Sequence, residues 1–504
     1  MITSRPRPLS FRYYCGCTLV CLVAAPRTSY ALKHSFDAHH DPRQLIGPVG
    51  MPFGFLAGGE FSLTVQNFNL VSKVDQSKKS VEAGFWLQRF SNEASFQHFM
   101  NEIQEKENGC VFEYFRDDDP NDEVFDQVGE IEAAQPEGLF LSMKDKTKWG
   151  KSTLRYTFKP GEEGLYFLAY QVCHSTENRI RTMSTFHLDF HFVNYDSSGQ
   201  ESYLTAGEMH LPLLYTLSAT SFTLCAILWH CNLQRIRKGL PAIIQTKEEQ
   251  AFESAGRPTI YAIHPIMGLL LWVKALTVWA EAFRFHTIKI TGDAEAWSVL
   301  YYTLYFFRGT FLFTVILLIG TGWSFVKGVL QKREKQFIFL VLFLQMLNQL
   351  ALIVLSHETE GERRFGNWNA VLHLVDIICC CAVLLPIVWQ VNAMEASLQL
   401  QDDEDDQLSA ENRASILEKL KLFRLFYLLV IAYIYATRIL IYLFATVLNY
   451  QHLWLRYAVV EMVTLVFYVT VGLLFRPRVE MGHVAAPARQ EEEGLALMEQ
   501  SASV

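Results

Sequence analysis

Two patterns of apolar residues divide the chain. Over about residues 32–207, apolar and polar positions alternate, most clearly in "STFHLDFHFVNYD", where apolar side chains occupy every second position near the centre. This alternation predicts half-buried β-strands, because successive side chains of a strand point to opposite faces. Similar stretches are "EFSLTVQNFNLV", "AGFWLQRF", "CVFEYF", "STLRYTFK" and "GLYFLAYQVC". We therefore predict a small antiparallel β-sandwich of about six to eight strands.

From about residue 208 the pattern changes to long apolar segments. Each is near the length of about 20 residues that a helix needs to cross the hydrocarbon core. The seven segments lie at about 210–231, 260–283, 297–322, 337–355, 369–391, 423–447 and 454–475. They predict a membrane α-helical bundle of seven transmembrane helices over residues 208–478. Gly320 and Gly322, near the end of the third segment, are expected to permit close helix packing, with a gating hinge as the alternative.

The N-terminus has the features of a secretory signal peptide. Three arginines precede a short apolar run, and "SYA" at residues 29–31 is a small-x-small cleavage site. We expect residues 1–31 to be removed, with a retained signal anchor as the alternative. At the other end, residues 479–504 are predicted to be a disordered acidic tail.

Lysine and arginine are concentrated on alternate connections between the seven segments. The first, third and fifth connections, with the residues that flank them, carry thirteen of these residues, and the second, fourth and sixth carry five. Because basic residues are retained on the cytosolic side, the odd connections and the tail are predicted to be cytosolic. This orientation agrees with the signal peptide and places residues 32–207 in the lumen.

Composition supports a membrane protein, since 50% of the residues are hydrophobic and only 19% are charged. The formal net charge of −8 gives no reason to expect a nucleic-acid partner. The sequence has no nucleophile elbow, zinc-ligand spacing, P-loop or dinucleotide fingerprint, so we predict no enzyme activity, cofactor or metal. His187 and His191 share a strand face and are expected to be solvated residues rather than metal ligands.

Two cysteines, Cys110 and Cys173, lie in the region predicted to be exported. An oxidising lumen favours a disulfide between them, and two free buried thiols are the alternative.

Several ionisable residues lie within the apolar segments. They are His264, Lys274, Glu281, Arg308, His373, Asp376, Arg438 and Glu461. Seven residues separate Lys274 from Glu281, which puts them about 20° apart around a helix and predicts one polar stripe. Such groups should face the bundle interior or water. Asp376 and Glu461 could each pair with a buried cation. The network is either a set of ion pairs that fixes helix packing or the lining of a ligand or ion cavity.

Motifs in the second half of the chain allow a family comparison. "IHPIMGLLLWVKAL", "GTGWSFVKG", "LVDIICC", "KLKLFRLFY", "YIYATRI" and "FRPR", between residues 258 and 478, resemble the GOLD-domain seven-transmembrane family, which includes the lung seven-transmembrane receptor group. The resemblance implies a lumenal GOLD-like β-sandwich on a seven-helix bundle. It also implies residence in Golgi, trans-Golgi and endosomal membranes, and a role in membrane trafficking.

The first functional hypothesis is a trafficking factor or cargo carrier surrounded by membrane lipids. Its lumenal domain would bind a protein or lipid cargo, while coat or adaptor proteins would bind its cytosolic side. Glu493 with Leu497 and Met498 is a candidate acidic dileucine-type sorting signal.

Two alternatives belong to other classes. One is a ligand-activated receptor that couples to G proteins, although the third segment has no D-R-Y-like end and the seventh has no N-P-x-x-Y. The other is an ion channel or transporter, although no inverted repeat is visible in the sequence.

Overall fold

The computed structural model describes both the β region and the helical region. It covers residues 33–47, 49, 52–72, 81–90, 95–96, 98–99, 138–142, 151–174, 182–196, 198–243, 259–321, 332–357, 384–385, 387–389, 391–392, 395, 417, 420–437 and 448–477. The predicted signal peptide and acidic tail lie outside these residues.

The described part of the N-terminal region contains two five-stranded sheets. The strands are β1 (Lys33–Asp41), β2 (Leu45–Ile46), β3 (Phe53–Phe55), β4 (Glu60–Ser72), β5 (Val81–Phe90), β6 (Gly138–Ser142), β7 (Lys151–Thr157), β8 (Gly164–His174), β9 (Thr182–Tyr195) and β10 (Glu201–Ser202). The first sheet has the order β1-β9-β4-β7, with β10 paired to β9. The second has the order β2-β8-β5-β6, with β3 paired to β8. All these pairings are antiparallel, which confirms the predicted β-sandwich class.

Large apolar side chains fill the space between the two sheets. The ring of Phe186 on β9 lies 4.7 Å from Tyr170 and 5.2 Å from Phe85, both on the opposite sheet. The Tyr170 and Ser184 hydroxyls are 2.9 Å apart, so the tyrosine oxygen is hydrogen-bonded inside the core. A fully buried large apolar side chain contributes about 1.5–3 kcal/mol, so this aromatic layer is the main source of stability in the sandwich.

Strands β5 and β8 bury apolar residues on both faces. One face joins the core between the sheets, whereas Trp86 and Phe167 on the other face pack with Phe96 in a second cluster. The rings of Phe96 and Phe167 are stacked, with centroids 4.2 Å apart and planes 12° apart. This two-sided burial explains why "GLYFLAYQVC" is almost continuously apolar rather than strictly alternating.

Five predicted strand stretches coincide with β4, β5, β7, β8 and β9, and "CVFEYF" lies outside the described residues. The alternation did not predict the other five strands. Three of these, β2, β3 and β10, are two or three residues long, too short to show a period. The edge strand β1 is nine residues long but has only Phe36 and Ala38 as apolar residues.

Six helices are described in the second region. They are α1 (Leu211–Arg237), α2 (Ile263–Thr291), α3 (Glu295–Gly320), α4 (Lys332–His357), α5 (Leu420–Thr437) and α6 (Trp454–Leu474). Among the residues described, α1, α2, α3, α5 and α6 are long and apolar enough to cross a membrane, and α4 contains a shorter apolar stretch. Helices α1 to α4 correspond to predicted segments one to four, and α5 and α6 correspond to segments six and seven. Most of the fifth segment lies outside the described residues.

Helix α2 continues beyond the predicted end of its apolar segment at residue 283. It ends at Thr291, where Gly292 adopts the left-handed conformation with φ of 76°. The added turns bring Lys289 to the β domain, where its Nζ donates to Asp196 Oδ2 at 2.7 Å. The backbone N–H of Tyr203 also donates to the carbonyl oxygen of Lys289, at 3.2 Å. The end of α2 is therefore part of the junction between the two regions.

Asn194 forms hydrogen bonds within the part of the β domain that leads into α1. Its fully buried side chain accepts a hydrogen bond from the Leu56 N–H at 2.9 Å. Its amide nitrogen donates to the carbonyl oxygens of Gly54 and Leu204, at 2.9 and 3.1 Å. One side chain thus links β9, β3 and the segment that leads into α1.

The β domain also contacts the start of α6. A Cβ atom on Gly54 would lie 3.0 Å from the ring of Tyr450, and one on Gly207 would collide with the Tyr450 carbonyl oxygen. Such a close approach explains why glycine occupies both positions. The β domain therefore rests on the ends of α2 and α6.

Gly320, the last residue of α3, is also at a close contact. A Cβ atom there would lie 2.6 Å from Cγ1 of Ile387. This contact favours close packing over a gating hinge at this residue. Gly322 lies outside the described residues.

We expect Gly320→Ala to lower the melting temperature, because overpacking costs about 1–3 kcal/mol and exceeds the gain in helix propensity of about 1 kcal/mol. Gly472→Ala in α6 is the matched control, since its Cβ would lie 3.6 Å from Trp229, an ordinary contact. Adding Ile387→Ala to Gly320→Ala should restore part of the loss. Thermal unfolding of the purified protein in detergent measures these effects. Equal melting temperatures for the two alanine variants would contradict this account.

Candidate functional site in the helical bundle

Helix α2 is the central helix of the described bundle. Of its most apolar window 56% is buried in the protein, compared with 22–28% for the other four candidate spans. Polar side chains on α2 therefore meet neighbouring helices rather than lipid. This position explains how a membrane-spanning helix can carry ionisable residues along its length.

Lys274 lies near the middle of α2 and is only 1% exposed. Its Nζ donates to both carboxylate oxygens of Glu461 on α6, each at 2.8 Å. The same ammonium lies 4.8 Å from the ring centroid of Phe222 on α1, within the range of a cation–π interaction. One side chain thus links α1, α2 and α6.

The energetic meaning of this pair depends on its burial. Removing two charges from water is costly, and their attraction offsets this cost only when the geometry is good. Two short, charge-assisted hydrogen bonds meet that condition. The pair adds less to net stability than to specificity, since any packing that separated α2 from α6 would leave two uncompensated buried charges.

His264 forms a second link at the end of α2 that is distant from the β domain. Its Nδ1 accepts the Tyr261 N–H at 2.8 Å, so Nε2 carries the proton and donates to the Phe475 carbonyl oxygen at 3.1 Å. The indole N–H of Trp229 donates to the His264 carbonyl oxygen at 3.1 Å. These bonds again join α1, α2 and the end of α6.

An apolar cavity lies between the Lys274 and His264 links. Its lining includes Leu270 of α2, Ile316 of α3, Phe426 of α5 and Val471 of α6. The contacts of Lys274 and His264 can hold the helices in one register, with the apolar cavity between them.

The chain was compared with known proteins. Residues 256–480 match the family described as the GOST seven-transmembrane domain. A relative from Arabidopsis thaliana, named candidate G-protein coupled receptor 6, is 27% identical over 444 residues, which cover 88% of this chain and 89% of the relative.

The chain is therefore a multi-pass membrane protein, and its residues 256–480 are similar to the GOST seven-transmembrane domain, as the sequence motifs predicted. The matched range begins after α1 and includes α2 to α6. The contacts of Lys274 and of His264 therefore both involve residues of the matched range.

The other charges predicted within the apolar segments of the matched range are partly described by the structure. Glu281 is buried on α2, as Lys274 is, and Lys274 pairs with Glu461, one of the two carboxylates expected to meet a buried cation. Arg308 on α3 lies 4.7 Å from the ring of Tyr305. Within the part of the chain that is described, neither Glu281 nor Arg308 has an ion-pair partner within 4 Å. His373, Asp376 and Arg438 lie outside the described residues.

The predicted disulfide and the predicted sorting signal both involve residues outside the described part of the chain. Cys173 lies on β8 in the second apolar cluster, but Cys110 lies outside the described residues, so their disulfide stays a prediction. The candidate sorting residues Glu493, Leu497 and Met498 also lie outside. In the described residues, no group of three His, Cys, Asp or Glu is arranged to hold a metal ion.

Sequence reasoning missed an aromatic site around Arg284. The guanidinium carbon lies 4.8 Å from the ring centroids of Phe285 and Tyr301 and 5.8 Å from that of Tyr302. The tyrosine-rich run "YYTLYFF" in α3 was an available signal, because arginine commonly stacks on aromatic rings.

Two buried glutamines in the matched range were also missed. Gln345 and Gln349, one turn apart on α4, are 0% and 6% exposed. The amide oxygen of each is without a hydrogen-bond partner among the residues described. Their spacing of four residues in an otherwise apolar segment was the signal that could have identified them.

We expect Lys274→Leu to leave membrane insertion intact but to impair folding or export, because Glu461 would remain buried without its partner. Such a loss costs about 3–5 kcal/mol, whereas replacing both members by Lys274→Leu and Glu461→Leu should recover most of it. Lys289→Leu on the same helix is the control, since its partly exposed pair is worth about 0–1 kcal/mol.

Thermal unfolding in detergent measures stability, and resistance to alkaline extraction measures insertion. A Lys274→Leu protein that unfolds at the wild-type temperature would refute a structural role for the ion pair.

Proposed function

We propose that this protein is a trafficking factor or cargo carrier of Golgi, trans-Golgi and endosomal membranes. It binds a lumenal protein or lipid through the β domain and the bundle. The observation that best supports this proposal is the contact of the β domain with the ends of α2 and α6. These are the two helices that the Lys274–Glu461 ion pair joins. A ligand that favours one arrangement of these helices can shift the conformation of the bundle, because populations follow differential affinity.

The proposal includes the orientation predicted from the basic connections. The β domain faces the lumen, and the tail faces the cytosol, where coat or adaptor proteins bind. Catalytic activity and nucleic-acid binding are not part of the proposed role. Both exclusions stay predictions from the sequence.

A receptor that couples to G proteins is the second candidate. The name of the Arabidopsis relative favours it, and the contact between the β domain and two spanning helices suits signal transmission as well as cargo carriage. Ligand-dependent nucleotide exchange on a purified G protein would favour the receptor over the carrier.

The carrier proposal is tested by breaking the junction without touching the buried ion pair. Asp196→Lys places two ammonium groups together at the end of α2 and should weaken cargo export several-fold. Glu295→Lys reverses an exposed charge at the start of α3 and is the matched control. Cells that lack the protein are complemented with each variant, and the secreted proteins are quantified by mass spectrometry, with lumenal proximity labelling to identify the cargo.

The control should restore secretion, and Asp196→Lys should not, at equal abundance of the two variants. An unchanged set of secreted proteins in cells that lack the protein would refute the carrier role. So would proximity labelling that gives the same proteins as an unrelated Golgi protein.

The sorting signal makes a separate prediction. Replacing Leu497 and Met498 by alanine should move the protein out of its steady-state compartment, because adaptor binding would lose its apolar contacts. Gln500→Ala, an alanine substitution in the same tail but outside the signal, is the control. Fluorescence microscopy with Golgi and endosome markers measures the distribution, and an unchanged distribution removes this signal from the proposal.

A further inference from the structure

A histidine on the outer face of the first sheet lies between two carboxylates. His187 Nδ1 contacts Asp37 Oδ1 of the neighbouring edge strand β1. Its Nε2 lies 3.3 Å from Asp189 Oδ1 on the same strand, β9. Gln66 of β4 donates to the second oxygen of Asp189 at 2.9 Å, which fixes that carboxylate. The cluster therefore extends across three adjacent strands.

Only a protonated imidazole can donate to both carboxylates at once. A neutral ring has one donor nitrogen, so its other nitrogen would direct a lone pair at a negatively charged oxygen. The contact between β1 and β9 is therefore strongest when His187 is charged. By strand register, other titratable or charged residues on this face include Lys33 and His39 of β1, His191 of β9, and Lys151 and Arg155 of β7.

Strand β1 is paired with β9 along its backbone but contributes few apolar side chains to the core. It is an edge strand, and Phe36 and Ala38 are the apolar residues that it contributes to the core. Its pairing with β9 is also irregular between Ala38 and Asp41, and His40 has a φ of 49° there. The charge contact of Asp37 with His187 lies next to this irregularity and adds to the backbone pairing of the strand.

We propose that the protonation of His187 controls how firmly edge strand β1 is held on the β-sandwich, so that β1 is docked at acidic pH and loosened as pH rises. This inference does not depend on the proposed trafficking role. It gives the β domain a pH-sensitive edge strand, β1, which is paired with β9, the strand that continues into the junction with α2.

The direction of the effect follows from proton linkage. The hydrogen bond to Asp37 raises the pKa of His187 above its ordinary value, with a further contribution from Asp189. Below about pH 6.5, the pKa of an unfolded histidine, the stabilisation is fully present. It is lost as pH rises through the raised pKa of the folded protein. The opening equilibrium of β1 should change by about tenfold for each unit by which the pKa is raised.

Hydrogen exchange of the full chain in lipid nanodiscs tests this proposal. Exchange in peptides covering residues 33–41 is measured between about pH 5 and pH 8 and corrected for intrinsic rates. In the wild type, protection of β1 should fall with rising pH. His187→Gln should remove this dependence. His191→Gln, on the same face of β9, is the matched control, because the β1 residue opposite it in the register is Lys33 and not Asp37, and it should keep the wild-type dependence.

An identical pH dependence in the wild type and His187→Gln would overturn the proposal, as would its equal loss in His191→Gln. If His187→Gln does not fold, histidine NMR titration of the wild type decides the question. A His187 pKa above about 6.5 that falls in Asp37→Asn supports the proposal, and a pKa at or below that value overturns it.

Discussion

The ion pair between Lys274 and Glu461 is the constraint on which the arrangement of the described helices depends. Neither group can face lipid without a large cost, so each restricts where its helix can lie. With Phe222 beneath the ammonium, the pair specifies the relative positions of α1, α2 and α6. His264 repeats the connection at one end, through hydrogen bonds to backbone carbonyl and amide groups.

Helices α2 and α6, which the ion pair joins, also contact the β domain. Lys289 at one end of α2 pairs with Asp196, and Tyr450 just before α6 packs against Gly54 and Gly207. The β domain is thereby connected to the buried pair through two rigid helices instead of a flexible linker. This connection is the physical basis for proposing that occupancy of the β domain affects the bundle, whether the protein acts as a carrier or as a receptor.

Some errors of sequence reasoning have simple physical causes. The apolar window ended α2 near residue 283, because hydropathy stops at the hydrocarbon boundary while the helix continues to the β domain. Strand β1 has too few apolar residues to show alternation, since it is an edge strand held by backbone pairing and by Asp37. His187 lies on the outer face of the sheet, as expected, but its partner Asp37 was missed because it belongs to a strand that the pattern did not reveal.

The sequence by itself determined the two-region architecture, five of the strands, the positions of the described helices and the presence of charges in the apolar segments. Local periodicity and segment length predict these features, because a half-buried strand must alternate apolar and polar residues and a spanning helix must be as long as the hydrocarbon core is thick. Only the tertiary structure decided that Lys274 pairs with Glu461, that Arg284 lies among aromatic rings and that Asp37 meets His187. Each of these contacts joins residues from different elements, and no local pattern specifies which helices or strands become neighbours.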